Sequence, residues 1–489
     1  MLLRQLLPSF RYATSDILAG IVVFLVALPL CLGIALASGA PLMSGLIAGI
    51  IGGTILALFS DSELSVSGPA AGLAVVVLGA INTLGGFQTF LAAVVVAGVI
   101  QIILGWVKAG VLAEYVPNSV IRGMLAGIGV VIILKQVRHL IGWSNGIIDP
   151  GSAIVGGTCL TVLLVWDLPI GPMRSLSKKI PGPLVAVVLG TLLSQALHVV
   201  APAWAISDTA AFVQIPTDVT LFSMVTLPSM AAFAIPQVWL SGAAIALIAS
   251  IETLMSIEAT DKLDPLKRIS DSNQELRAQG IGNVVSGLVG GLPLTAVIIR
   301  SSTNVYAGGM TRLSAMIQGL LILISILLVP EILNLIPLAA LAAVLVSVGY
   351  KLTSLTVLRN AMRHGLDQSL PFIATIIAVV LTDLLTGIGI GLLVSMFWVI
   401  RNNLHSAVSL EENNGRWIVR LNKDALFVNK SELKRALRSI PSDAQVTIDG
   451  TLARMIDRDI YETIQEFAEG AEYRSITVDY VNVFGKRTK

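Results

Sequence analysis

Twelve stretches of this chain are apolar over the length of a bilayer crossing: residues 15–38, 41–60, 87–107, 117–140, 150–166, 181–200, 237–257, 276–291, 312–330, 336–350, 370–385 and 386–403. A helix needs about 20 apolar residues to cross roughly 30 Å of hydrocarbon, and in lipid only helices and closed barrels satisfy their own backbone. The pattern predicts a polytopic α-helical membrane protein. Composition agrees, since 55% of residues are hydrophobic and 13% charged, against about 25% charged in a soluble domain. A formal net charge of +2 supplies no field for a nucleic-acid partner, so the lipid bilayer is the large partner expected. The opening "MLLRQLLPSFRYATSD" is amphipathic and lacks the regions of a cleavable signal; the first span is expected to insert as an uncleaved anchor.

Two further apolar segments, 67–81 and 295–308, are too short to cross. Each follows a proline-containing interruption, "LSVSGPAAGLAVVV" around Pro69 and "GGLPLTAVII" around Pro293. They are the third and the tenth of fourteen segments, equivalent positions in two halves of seven. Matched interruptions of this kind point to a transporter site where half helices meet near the bilayer midplane. The predicted fold is therefore fourteen segments arranged as two inverted seven-segment repeats.

Counting segments from a cytoplasmic N-terminus places most Lys and Arg inside, among them Arg4, Arg11, Lys108, Arg174, Lys178, Lys179, Lys262, Lys267, Arg312 and Lys351. No Lys or Arg occurs between Lys179 and Lys262, a stretch containing the long loop 201–236 that the count puts outside. This is the positive-inside pattern, and it predicts a plasma-membrane protein with both termini cytoplasmic. Lys135 and Arg138 are its exceptions.

A helix that begins at midplane leaves its first N–H groups unpaired and carries partial positive charge. Two such ends meeting make an anion cradle. Its expected lining is Ser67, Gly68, Ala70 and Ala71 at one break and Thr295 and Ala296 at the other, with Pro69 and Pro293 making the breaks. Ionisable groups inside a span are costly and mark function. Glu252 is one, with Ser256 a turn later on the same face. The pair offers hard oxygen ligands for Na⁺ or a proton-binding carboxylate, or else a carboxylate bonded to a broken helix backbone. Arg300, after the second break, is expected to raise the potential around an anion or to pair with an acid such as Glu252. Cys31 and Cys159 sit in separate apolar runs, and the four histidines have no ligand spacing. No nucleophile and base pair or phosphate loop is present, so neither cofactor nor enzymatic activity is expected.

Beyond about residue 401 the composition becomes that of a soluble domain. "RWIVRL", "AQVTID" and "SITVDYV" alternate as strands, and "KSELKRALRSI" and "RDIYETIQEFAEGA" have helical spacing. A small α/β domain with a mixed or parallel sheet follows. Asp449 is expected as a strand-end turn residue and Asp457 as a helix cap, not as a metal site.

The segments "VSGPAAG", "IETLMS" and "EATDKLDPLKRISDSNQELRAQGIGNVVSGLVGGLPLTAVIIRSSTNVYAGGMTRLSAMIQG" resemble the SulP family of inorganic anion transporters, and the tail resembles that family's STAS domain. The resemblance implies a transporter domain over residues 1–400 and a cytoplasmic STAS-like domain over 401–489. It also implies a uracil-transporter-like division into a core (segments 1–4 and 8–11) and a gate (segments 5–7 and 12–14), and a homodimer. The anion would lie near Ala70, Ala71, Thr295 and Ala296, with Glu252 and Ser256 at the position that holds the coupling cation in sodium-coupled members. Many relatives carry threonine where this chain has Ala70, so backbone N–H groups must do more of the recognition here. Leu30, where many carry glutamine, is closer to the bicarbonate-transporting members. The expectation is a secondary transporter of bicarbonate or sulfate driven by Na⁺ or H⁺. The alternatives are a carrier of dicarboxylates or other organic anions on the same fold, and a membrane sensor signalling through the tail.

Overall fold

The computed structural model describes residues 12–111, 117–144, 147–166, 181–206, 208–216, 224–353, 359, 365–382, 384–404, 407–413 and 415–483. Arg4, Arg11, Arg174, Lys178 and Lys179 lie outside them. The predicted segments fall on helices α1 (Ala13–Ala37), α2 (Leu42–Phe59), α3 (Ala71–Thr83), α4 (Phe87–Trp106), α5 (Asn118–Leu140), α6 (Pro150–Trp166) and α7 (Gly182–Val200) in the first half. In the second half they fall on α8 (Pro236–Leu263), α9 (Ser272–Val289), α10 (Ile298–Tyr306), α11 (Leu313–Leu328), α12 (Leu338–Leu352), α13 (Leu366–Leu381) and α14 (Leu384–Leu404). Among the described residues, six helices are long and apolar enough to cross a membrane by length and composition.

Packing follows the repeat. α8 and α9 both pack along α4, while their counterparts α1 and α2 pack along α11. The pairing of α13 with α5 is matched by that of α6 with α12, and α5 packs on its own counterpart α12. Advancing each partner by seven segments reproduces the contact pattern, as an inverted repeat requires.

The two short segments start later than the sequence suggests. Ser67–Pro69 (β1) and Leu294–Ala296 (β2) are extended and pair antiparallel, Ser67 with Ala296, Gly68 with Thr295 and Pro69 with Leu294. The half helices then begin at Ala71 and Ile298. Pro69 biases Gly68 before it away from helix, whereas Leu294–Ala296 follow Pro293 and are held extended by the pairing itself. α2 carries a π-helical turn over Gly52–Leu56, and the lack of a side chain at Gly52 leaves it close against the Ser67 carbonyl.

Contacts divide the chain into two compact units, Met1–Gly391 and Leu392–Lys489. The second unit holds a four-stranded sheet of β3 (Val408–Asn413), β4 (Arg416–Leu421), β5 (Gln445–Asp449) and β6 (Thr477–Val481), in that order. β3 is antiparallel to β4, and β4, β5 and β6 run parallel. Helices α15 (Lys430–Arg438) and α16 (Arg458–Ala471) bury Leu433, Leu437, Ile460 and Ile464 against Val419 and Ile448 of the sheet. β3 escapes the sequence pattern because "VSLEEN" alternates over only four residues and ends in three polar ones. Asp449 is the expected turn residue, accepting from the Thr451 N–H at 2.9 Å. Asp457 stands at the cap position of α16, yet its carboxylate accepts from Phe427 N at 3.0 Å and so ties down the turn that leads into α15. Among the described residues no cluster of three or more His, Cys, Asp or Glu could hold a metal ion.

Candidate functional site

The β1–β2 ladder joins the segments that lead into α3 and α10, and three buried polar devices hold it. The first is on α9, where Glu275, Gln279 and Asn283 recur every fourth residue and are wholly buried. Asn283 clamps β2, accepting from Leu294 N at 2.6 Å and donating to Leu294 O at 3.2 Å; its Nδ2 also donates to Gln101 Oε1 at 2.6 Å. Gln279 donates to Ser67 Oγ of β1 at 2.8 Å and to Glu275 Oε1 at 3.2 Å, while Ser60 Oγ donates to Glu275 Oε2 at 2.7 Å. One helix face thus fixes both strands. α9 ends at Gly290 in the left-handed conformation, with φ of 92°, and Ser286 Oγ holds the following turn at Leu292 O, 2.6 Å away.

The second device is on α8. Thr253 Oγ1 accepts from Ala296 N at 3.2 Å, and the neighbouring Glu252 carboxylate lies against the first turn of α3. A Cβ at Gly72 would stand 2.8 Å from both of its oxygens. A side chain at residue 72 would have to push the carboxylate aside, so this close approach accounts for Gly72. The third is on α10. Ser301 Oγ accepts from Val66 N at 3.0 Å, and Asn304 Nδ2 donates to Leu64 O at 3.0 Å, so the second half helix also anchors the segment leading into β1.

Arg300 is fully buried. Its Nη2 donates to Cys31 Sγ and to Pro69 O, each at 3.4 Å, and its guanidinium fills the space beside Gly68. The expected pairing with Glu252 is absent: no carboxylate forms an ion pair with Arg300 among the described residues. Cation and anion instead approach the same short segment at different residues, Arg300 at Gly68 and Pro69, and Glu252 at Gly72. Arg300 Nε and Nη1, Glu252 Oε2 and Thr295 Oγ1 are buried without a hydrogen-bond partner. Buried polar atoms are nearly always paired, and these four lie on or against the segments that cross here.

The other sequence-predicted residues distribute as follows. Ala70 is the extended residue ahead of α3 and Ala71 is its first helical residue. Thr295 and Ala296 lie in β2, ahead of the α10 terminus instead of at its tip. Ser67 turns its hydroxyl toward Gln279. Ser256 is buried on α8, a turn below Glu252, and Pro293 directly precedes β2. Gly72, Thr253, Gln279 and Asn283 were not singled out from the sequence. The polar residues spaced by four along "ELRAQGIGN" are the legible signal of Gln279 and Asn283; Gly72 and Thr253 carry none.

The sulfate permease family profile matches residues 14–377. The putative sulfate transporter YbaR of Bacillus subtilis (strain 168) is 29% identical over 456 residues, 92% of this chain and 90% of its own length. The bicarbonate transporter BicA of Picosynechococcus sp. is 29% identical over 425 residues, 81% of this chain and 72% of its own. Among solved structures, the transmembrane domain of a cyanobacterium bicarbonate transporter BicA matches with a TM-score of 0.68 at 26% identity, over 78% of this chain and 98% of that one. The structure of SLC26A9 matches with a TM-score of 0.78 at 15% identity, over 98% and 86%, and shows the common fold alone. The described fold is that of these multi-pass membrane proteins, and the small α/β tail is consistent with a STAS domain.

Proposed function

We propose that this chain, which belongs to the sulfate permease family of anion transporters, carries bicarbonate or sulfate across the plasma membrane as a secondary active transporter. The observation carrying this reading is the β1–β2 crossing. It sets two helix N-termini beside a buried arginine that has no carboxylate partner among the described residues. Fixed dipoles and a fixed cation stabilise a small anion without reorganising. Ala70 and Ala71 on one side and Thr295 and Ala296 on the other line the cradle, and Thr295 Oγ1 is free to bond an oxyanion oxygen. A dicarboxylate would call for further polar side chains along the cradle, which "GPAAG" and "PLTAV" do not provide. Relatives named as bicarbonate and as putative sulfate transporters support the substrate class, and Leu30 favours bicarbonate.

Glu252 supplies the coupling. A carboxylate against the first turn of α3 repels an anion seeking the same positive end, so binding both forms at once is unfavourable. Na⁺ held by Glu252, with Ser256 contributing a hydroxyl, or a proton on the carboxylate removes that repulsion. Cation and anion then bind with positive cooperativity, which is the requirement for symport. Donors that are all oxygen suit Na⁺.

Movement of a core (α1–α4 and α8–α11) against a gate (α5–α7 and α12–α14) gives alternating access, in a homodimer whose termini are both cytoplasmic. Uptake of labelled bicarbonate, sulfate and succinate into proteoliposomes, with and without Na⁺ and proton gradients, tests the reading. Bicarbonate or sulfate uptake driven by one gradient is expected. Transport of succinate alone transfers the assignment to organic anions, and no transport or exchange of any of the three ends it.

A further inference from the structure

Lys135 breaks the positive-inside pattern, and the cradle makes no use of it. It lies near the C-terminal end of α5 and lines a cavity of about 540 Å³ together with Val75, Val76, Gly79 and Thr83 of α3, Gln237, Ser241 and Ala244 of α8, and Thr382 after α13. Lys135 is the only charged residue among the described lining, and none of the ion pairs in the described residues involves it. The polar remainder is neutral amide and hydroxyl, which suits an anion and not a cation.

The cavity stands over the cradle. On α3 its lining residues Val76, Gly79 and Thr83 continue the stripe that begins at Gly72, at steps of three and four residues. On α8, Ser241 and Ala244 share the stripe that ends at Glu252. Eight residues separate Ala244 from Glu252, about 12 Å of helix. The two helices that carry the cradle and the coupling carboxylate therefore lead from it to this cavity, while the cation comes from α5, on the other side of the boundary between the proposed core and gate.

We propose that this cavity is the outer vestibule of the transport site, and that Lys135 draws small oxyanions into it from the external solution. The proposal rests on the transport reading above. A single cation in a cleft with low-dielectric walls raises the local anion concentration and the association rate, and salt screens it.

The test separates the two readings, because thiol labelling requires no transport. In Ser241→Cys, with Cys31 and Cys159 both buried, the rates of modification by externally added anionic and neutral methanethiosulfonates are compared. Adding Lys135→Gln is expected to lower the anionic-to-neutral ratio about threefold or more; Lys135→Arg restores it, and the difference fades in 1 M salt. In uptake assays Lys135→Gln raises the external KM by a similar factor at unchanged kcat. Asp383, next in the chain after Thr382, lies outside the described residues, and Asp383→Asn is measured in parallel to separate its charge from that of Lys135. A thiol at residue 241 that external reagent cannot reach, or a ratio unmoved by Lys135→Gln, overturns the vestibule. A wild-type protein that carries none of the anions tested defeats the transport reading whatever the labelling gives.

Discussion

The guanidinium of Arg300 occupies the space that a side chain at residue 68 would need, so a Cβ added to Gly68 would overlap Nη1. The half helix of one repeat thereby sets the residue type allowed in the strand of the other. Gly68→Ala must displace either the arginine or the β1–β2 pairing. Overpacking of this kind costs about 1–3 kcal/mol. The expected result is a protein that still inserts and purifies, with a lowered Tm and at least a tenfold loss of anion uptake. Wild-type uptake would show that Arg300 has room to move and does not hold the crossing.

Arg300→Gln removes the charge while keeping a hydrogen-bonding side chain. Its expected signature is a KM for the anion raised at least tenfold, about 1.4 kcal/mol, with a smaller effect on kcat. Arg300→Lys recovers part of the affinity, since the charge stays but the planar donor set that reaches Cys31 and Pro69 is lost. Concentration dependence of uptake for the three proteins gives the comparison.

Glu252→Gln keeps the size of the side chain facing Gly72 and discards its charge. Gradient-driven accumulation is expected to vanish, whereas anion exchange between equal cation concentrations persists. Uptake that responds to Na⁺ and proton gradients as in the wild type would remove Glu252 from coupling.

Asn283 makes three of its hydrogen bonds to Leu294 and Gln101. Asn283→Ala strands the Leu294 N–H and C=O in a buried place, at a cost of about 1–3 kcal/mol. Gln279→Ala frees only the Ser67 hydroxyl and the Glu275 carboxylate, and its thermal destabilisation is expected to be the smaller. Thermal unfolding in detergent ranks the two, and the reverse order would place the main clamp at β1 instead of β2.

In the tail, hydrogen bonds from the Thr451 hydroxyl and N–H, with the Arg420 guanidinium beside them, hold the Asp449 carboxyl below its ordinary range. A group whose folded pKa is depressed contributes stability above its unfolded value, near 3.9, and loses it as pH falls through the folded one. Asp449→Asn is therefore expected to weaken hydrogen-exchange protection of residues 445–449 at pH 7, with the gap from wild type closing below about pH 4. An equal gap at both pH values would assign the effect to geometry and not to charge.

Apolar runs of bilayer length made the membrane architecture legible, because helix length and hydrocarbon thickness leave few alternatives. Pro69 and Pro293 located both breaks for a local reason, the missing N–H. What the breaks become was not local. The extended residues Ser67–Pro69 and Leu294–Ala296 are strands only because each finds the other, and a three-residue ladder leaves no periodicity to read. The Arg300–Glu252 pairing was a reasonable expectation from charge alone. It fails because Gly72 lets the carboxylate sit against α3, while Gly68 admits the guanidinium on its own side.

Antiparallel pairing of β1 and β2 ties the two half helices by main-chain bonds, so neither end shifts without the other. On the proposed mechanism the anion meets the same cradle donors whichever compartment it faces, and Lys135 changes only how fast it arrives from outside. Such a carrier has no built-in direction. Net flux is then set by the sum of the ion gradients, and reversing them turns an importer into an exporter with the same protein.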